Sequence, residues 1–289
     1  MTIVVTGGSG FIGTALTSVL LGKGHTVIVI DTHGPALTHA NLFFIPCDLE
    51  ASTLPFNVLE RTDAIIHLAG NHTSAHLISS LEQTANKPTI FIAASSVAYY
   101  GEAFDRELDE RSSVGVDETA RTIEAQEKEA MKAERFGCRV VIVRTAPVVG
   151  HGGFMAPLAR AASLHVAFRL TKEDFWMPWI HLNDLIHVYL FALETNTLQG
   201  VVNAAAPDPI QYSDFMRALK KTTHSIILPT LPFMRWPYRE PVRNMMVSQK
   251  ILPQRLMDKG FEFAYTHIDE ALVDTLRKSK HIKKSHEKN

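Results

Sequence analysis

The sequence predicts an α/β protein, a Rossmann-type doubly wound parallel sheet followed by a smaller C-terminal substrate lobe. Three observations carry that expectation. Short β-branched apolar runs alternate with helical stretches through the first half. The runs are apolar throughout instead of alternating with polar residues, as in a parallel sheet covered on both faces. A glycine-rich turn directly follows the first run and opens the first helix.

The strands expected in order are Ile3-Val4-Val5, Val27-Ile28-Val29-Ile30, Leu42-Phe43-Phe44-Ile45, Ala64 to Leu68, Thr89 to Ala93 and Val140 to Val143. Each is expected to be buried on both faces. Helices fall between them at about 11–22, 74–86 and 117–136, and strand-helix-strand repetition of this kind specifies a parallel sheet. The 117–136 stretch carries many charges, Glu124, Glu127, Lys128 and Glu129 among them, and should show one wide solvated face. After Gly150 prolines punctuate short segments, so a smaller and less regular lobe is expected, with Val201-Val202-Asn203 returning to the main sheet. The expected division is a cofactor domain over 1–152 rejoined by 179–206, a lobe over 153–276, and a basic end over 277–289. That end holds six Lys/Arg and one acid, and reads as a solvated, mobile tail.

Of the 289 residues, 46% are apolar and 20% charged, which supplies a core and excludes wholesale disorder. No apolar run approaches the ~20 residues of a membrane span. The start of the chain lacks the basic region of a signal peptide, and two cysteines make no disulfide framework. A net charge of −1 argues against a general basic surface for nucleic acid. The expectation is a soluble, cytoplasmic protein that binds a small molecule, with neither nucleic acid nor membrane as partner.

Thr6-Gly7-Gly8-Ser9-Gly10-Phe11-Ile12-Gly13 places glycine where a tight turn, a phosphate and close helix packing each require it. The helix start offers N–H groups and a positive dipole end to a pyrophosphate. Asp31, with Thr32 after it, ends the second strand, where a carboxylate can accept from ribose hydroxyls. Its charge would also repel a 2′-phosphate. Two unit charges ~4 Å apart interact by ~4 kcal/mol at an effective dielectric near 20, and a third of that is still about tenfold in affinity. No Lys or Arg occurs between Lys23 and Arg61 to offset it, His33 being the nearest substitute. NAD(H) is therefore expected over NADP(H).

At this point the chain resembles the extended or atypical short-chain dehydrogenase/reductase superfamily, within it the nucleotide-sugar-epimerase-like "epimerase family protein" branch. The residues that carry the resemblance are TGGSGFIG (6–13), CDL (47–49), DAIIHLAG (63–70), SSVAYYG (95–101), RTAPVVG (144–150), WMPWIHLNDL (176–185), VVNAAAPDPI (201–210) and SQKILPQRLMDKGFEF (248–263). The resemblance implies an NAD(P)-dependent oxidoreductase or epimerase, with NADP(H) also used in the family. It implies that Asp48 and Leu49 lie beside the adenine, that Leu68, Ala69, Gly70 and Asn71 line the cofactor, and that Pro147 and Val148 approach the nicotinamide. Ser95 or Ser96 would bond a substrate oxygen; the branch motif favours Ser95, the spacing from Tyr100 favours Ser96. The stretch 71–87 is shorter than the branch usually has, which implies a more open cleft.

Other constellations have plainer readings. His72 and His76 share a helical spacing but lack a third ligand, so no metal site is expected. Cys47 and Cys138 read as small buried hydrophobes. Phe175, Trp176, Trp179, Trp236 and Tyr238 could wall a pocket or fill a core.

The superfamily's usual acid-base pair is a Tyr followed four residues later by Lys. None of the six tyrosines has that partner; Ile123 and Glu127 stand in its places. Loss of a positioned acid-base group typically costs 10²–10⁴-fold. The chain is therefore expected to be a poor catalyst of the family's usual reaction, with Tyr99 or Tyr100 as substitute acid. The second reading is a non-catalytic dinucleotide-binding protein that responds to redox state.

Overall fold

The computed structural model describes residues 1–54, 56–70, 73–169, 171, 173–229 and 247–276. Asn71, His72, Trp236, Tyr238 and the basic end 277–289 lie outside them. The residues divide into two units. The first holds Met1–Tyr99, Val116–Arg144 and Ile186–Val202; the second holds Tyr100–Gly115, Thr145–Leu185 and the described residues from Asn203 on.

The central sheet has seven strands: β1 (Thr2–Thr6), β2 (Thr26–Asp31), β3 (Leu42–Pro46), β4 (Ala64–His67), β5 (Ile90–Ser96), β6 (Arg139–Thr145) and β7 (Gly200–Ala204). Their order across the sheet is β3-β2-β1-β4-β5-β6-β7. The pairs β1–β2, β1–β4, β2–β3 and β4–β5 are parallel. The order reverses direction between β1 and β4, and in such sheets the carboxyl ends at the reversal form the ligand crevice. The segment 201–203 joins the sheet edge, as its sequence suggests.

Four helices of this unit are α1 (Phe11–Gly22), α2 (Phe56–Leu59), α3 (Ser74–Gln83) and α4 (Glu118–Met131). Asp117 caps α4, its carboxylate accepting from Ala120 N at 2.9 Å. The chain then tightens into a 3₁₀ turn over Lys132–Phe136 and ends at Gly137, whose φ of 84° is left-handed. Val4, Ile65, Phe91, Val140 and Ile142 pack with Leu77, Leu81, Ala130 and Ala133 into one core.

Two expectations fail here. β3 is not buried on both faces: Phe43 is 54% exposed and Phe44 37%. The strand is outermost in the sheet, so its apolar run lacks a neighbour on one edge. Glu127 does not join the solvated face of α4. It lies on the stripe Ala120, Ile123, Glu127, Ala130, which the 3.6-residue period turns inward, and it is 7% exposed.

The second unit contains short pairings, 107–108 with 250–251, 148–149 with 180–181, 166–169 with 226–229 and 176–177 with 210–211. Trp179, Tyr212, Phe215 and Leu272 share its core, and Phe175 stacks on Tyr212 with ring centres 4.9 Å apart. These aromatics fill the core reading. Acidic side chains hold backbone N–H groups between Asn203 and Tyr265. Glu102 accepts from Ser248 N, Glu110 from Asn203 N and Arg255 N, and Asp184 from Ala264 N and Tyr265 N. Burial pushes the Glu110 carboxyl above its ordinary range.

Candidate active site

Each residue assigned to the cofactor from the sequence, where described, falls at or just beyond the carboxyl end of a strand. The glycine loop follows β1, Asp31 ends β2 with Thr32 next, Asp48 and Leu49 follow β3, and Leu68 to Gly70 follow β4. Ser95 and Ser96 end β5, and Pro147 and Val148 follow β6. Tyr100, Pro147 and Val148 are counted with the second unit, the others with the first.

The loop's glycines are required by contact as well as conformation. Gly7 has φ +69°, and a Cβ there would lie 2.9 Å from Ala69 N. A Cβ on Gly13 would sit 2.2 Å from Gly7 O. At Gly10 it would meet Gly7 O alone, at 3.3 Å, so this position leaves room that a phosphate can use. No side chain caps α1, and its first-turn N–H groups stay available to an anion. Phe11 and Ile12 in that turn are half-buried. Asp31 braces the loop: Oδ2 accepts from Ser9 N at 3.0 Å and Oδ1 from Thr32 N at 2.8 Å. Ser9 Oγ donates to His33 O at 2.6 Å. Asp48 is exposed and Leu49 buried. These residues fit a dinucleotide.

Behind the loop runs a neutral polar chain whose directions can be assigned. Thr73 Oγ1 donates to Gly70 O at 2.7 Å, so it accepts from His67 Nε2, 3.2 Å away. Nδ1 of His67 is then the acceptor for the Thr6 hydroxyl at 2.7 Å, and Thr6 Oγ1 accepts from Ala69 N at 3.3 Å. Burial pushes the imidazole down to about 4. The chain ties the end of β1 to the 68–70 turn in the neutral tautomer.

A small open pocket is lined by His67, Ala69, Gly70, Ser74, Ser95, Gln126 and Glu127, with Ala93, Ala94, Ala130 and Ile142. It brings the turn after β4 together with Ser95. The two serines differ. Ser95 Oγ donates to Glu127 Oε1 at 2.5 Å, whereas Ser96 Oγ accepts from Ala98 N at 3.1 Å, inside its own turn. Glu127 is held by a fork from Arg144 on β6, Nε to Oε1 at 2.9 Å and Nη2 to Oε2 at 2.7 Å. The Arg144 guanidinium carbon lies 3.3 Å from the ring centre of Tyr99. Tyr100 is 1% exposed and donates its hydroxyl to Asn203 Oδ1 at 2.7 Å.

The sequence reading missed the Glu127–Arg144 pair. Its signal was present in the 120/123/127/130 spacing and in an arginine inside the apolar run of β6. His76 Nδ1 lies 2.6 Å from Leu49 O. Among the described residues no group of three His, Cys, Asp or Glu could hold a metal. Cys138 is buried, its thiol pushed up to about 11 by burial and donating to Pro88 O, while Cys47 is half-buried.

Comparison with known proteins fits this arrangement. The sequence profile of the NAD dependent epimerase/dehydratase family matches residues 3–205. The chain belongs to that family. A second profile, for a domain of unknown function, DUF1731, matches residues 243–275. Epimerase family protein YfhF of Bacillus subtilis is 25% identical, covering 98% of this chain and 100% of its own. The solved nucleoside-diphosphate sugar epimerase of Corynebacterium glutamicum is 26% identical with a TM-score of 0.78 over 96% of this chain; this family member spans 58% of that longer chain. Human epimerase family protein SDR39U1, solved with NADPH, is 24% identical with a TM-score of 0.79, covering 96% and 99%, and shows the shared fold. This is the epimerase-family-protein branch of the extended short-chain dehydrogenase/reductases, with an NAD(P)-binding Rossmann fold. No helix among the described residues is long and apolar enough to cross a membrane.

Proposed function

We propose that this family member is an NAD(P)-dependent oxidoreductase or epimerase acting on a small polar substrate of the nucleotide-sugar class. The observation that carries the reading is the shared cavity, where Ala69 and Gly70 of the cofactor turn and the Ser95 hydroxyl line one space. The relative from Corynebacterium glutamicum, a nucleoside-diphosphate sugar epimerase, supports the substrate class. Residues 1–152 with 179–206 would carry the cofactor, and 153–276 the substrate. Two free cysteines suit a reducing compartment, and the cytoplasm is the proposed location.

Residues 7–13 would hold the pyrophosphate on the α1 N-terminus, and Asp31 would take the adenosine ribose while repelling a 2′-phosphate. The bound dinucleotide would supply a hydride acceptor. Ser95 would contact the substrate oxygen. Calorimetric titration should give NAD(H) about tenfold tighter than NADP(H); the reverse order overturns the preference drawn from Asp31.

A second reading, a dinucleotide-binding protein with little catalysis, is favoured by one observation. The Tyr100 hydroxyl is committed to Asn203 Oδ1, so that candidate acid is not idle. Assays of nucleotide-sugar epimerisation and carbonyl reduction under saturating NAD(H) separate the two. Turnover near ~10 s⁻¹, a typical enzyme value, that is lost in Ser95→Ala supports the enzyme. Tight NAD(H) binding without turnover supports the binding protein.

A further inference from the structure

Ser95 has one hydroxyl proton, and its surroundings decide where that proton points. The Glu127 carboxylate, 2.5 Å away, is gripped on both oxygens by Arg144. An ionised carboxylate can only accept. Glu127 and Arg144 are 7% and 3% exposed, so the pair is largely removed from bulk water. A hydrogen bond to a charged acceptor is roughly twice as strong as a neutral one. The serine proton is thus committed to Glu127, and Ser95 has only lone pairs left to offer the cavity. In the same lining, Gln126 Nε2 is covered and has no hydrogen-bond partner among the described residues. Ser95 and Gln126 both belong to the lining of this cavity.

We propose that Glu127, held by Arg144, sets the polarity of Ser95, so that the cavity takes a ligand hydroxyl at the serine and discriminates against a carbonyl oxygen there. Glu127 is a positioning residue that acts through Ser95. The ligand class is a hydroxyl-bearing small molecule, its hydroxyl donating to Ser95 Oγ. A carbonyl group has no proton to give, and it can reach Ser95 only by displacing Glu127 from the serine proton. This rests on the reading that the cavity is part of the substrate site, but its test needs neither turnover nor a nucleotide sugar.

Crystals of the full chain soaked in isopropanol and, separately, in acetone read the polarity directly. The first probe can donate and accept; the second can only accept. In the wild-type protein the isopropanol oxygen should lie within about 3 Å of Ser95 Oγ, and acetone should be absent from that position. The double variant Glu127→Leu with Arg144→Met frees the serine proton, and acetone should then appear at Ser95. Ser95→Ala should lose isopropanol there. Acetone bound to Ser95 in the wild type overturns the proposal, as does the same probe pattern in the wild type and the double variant. Absence of isopropanol from the wild-type cavity overturns it as a hydroxyl site. If the double variant does not fold, the wild-type and Ser95→Ala soaks decide. A failed nucleotide-sugar assay with these soaks as expected would sink the substrate class alone.

Discussion

Two clusters in the first unit bury polar groups by opposite means. The chain through Thr6, His67 and Thr73 is neutral, and every donor in it meets an acceptor without any charge. The cluster of Ser95, Glu127 and Arg144 is ionic, a buried carboxylate held by a guanidinium and a hydroxyl. A neutral chain is vulnerable to whatever charges it; an ionic cluster is vulnerable to loss of either partner. The same sheet therefore has two different failure modes on neighbouring strands, β4 and β5, which pair directly.

The largest expected effect lies in the ionic cluster. Glu127→Ala leaves the Arg144 guanidinium buried without its counter-charge, and such losses cost about 3–5 kcal/mol. Replacing both partners by apolar residues, Glu127→Leu with Arg144→Met, should bring stability back to within ~1 kcal/mol of the wild type. Urea denaturation of the three proteins checks this. A double variant as unstable as Glu127→Ala would mean that the cost comes from packing and not from an unpaired charge.

The neutral chain should break on the acid side. His67 titrates at about 4 when folded and near 6.5 when unfolded, so the unfolded chain binds the proton more tightly. Its contribution is full above pH 6.5 and is lost as pH falls from there towards about 4. The loss amounts to roughly 3 kcal/mol. Other groups titrate in this range, so the measurement is the difference between wild type and His67→Gln across pH 4–7. The difference should shrink as the pH falls. A gap constant over that range would remove His67 as the acid-labile member.

The glycine loop should separate folding from cofactor binding. Gly13→Ala forces a Cβ to 2.2 Å from Gly7 O, and backbone must shift. Overpacking of this kind costs typically 1–3 kcal/mol. Gly10→Val adds its Cβ against Gly7 O alone, at 3.3 Å, on a backbone with φ −72° that any residue adopts. It should melt near the wild-type temperature while losing NAD(H) binding. Retained NAD(H) affinity in a folded Gly10→Val protein would mean that this loop does not hold the phosphates.

The loop was legible because its signal is local. Glycine spacing, the strand before it and the helix after it are contiguous in sequence, from Thr2 to Gly22, and α1 runs over 11–22 as the sequence indicates. The ionic cluster was not, because its partners come from β5, α4 and β6. Glu127 taken alone looks like one more charge on an acidic helix, and only the tertiary neighbour Arg144 makes its burial tolerable. β3 misled for the converse reason. Leu42 to Ile45 has the composition of a covered strand, but exposure depends on its place at the sheet edge, which no local pattern encodes.

The smallest effect is expected at Ser95, and it distinguishes stability from ligand choice. Ser95→Ala removes one donor from Glu127 but leaves the Arg144 fork on both carboxylate oxygens. No buried charge loses its counter-ion, and alanine brings no unsatisfied group. A single hydrogen bond to a charged partner lost this way is worth about 1.5–3 kcal/mol net. Ser95 is only half-buried, so water can reach the space left by its hydroxyl, and the lower end of that range applies. The melting temperature should therefore fall by no more than a few degrees, a third to a half of the effect of Glu127→Ala. A destabilisation comparable to Glu127→Ala would show that Ser95 is a structural member of the ionic cluster. The contrast between a serine kept for its ligand and a carboxylate kept for its arginine would then collapse.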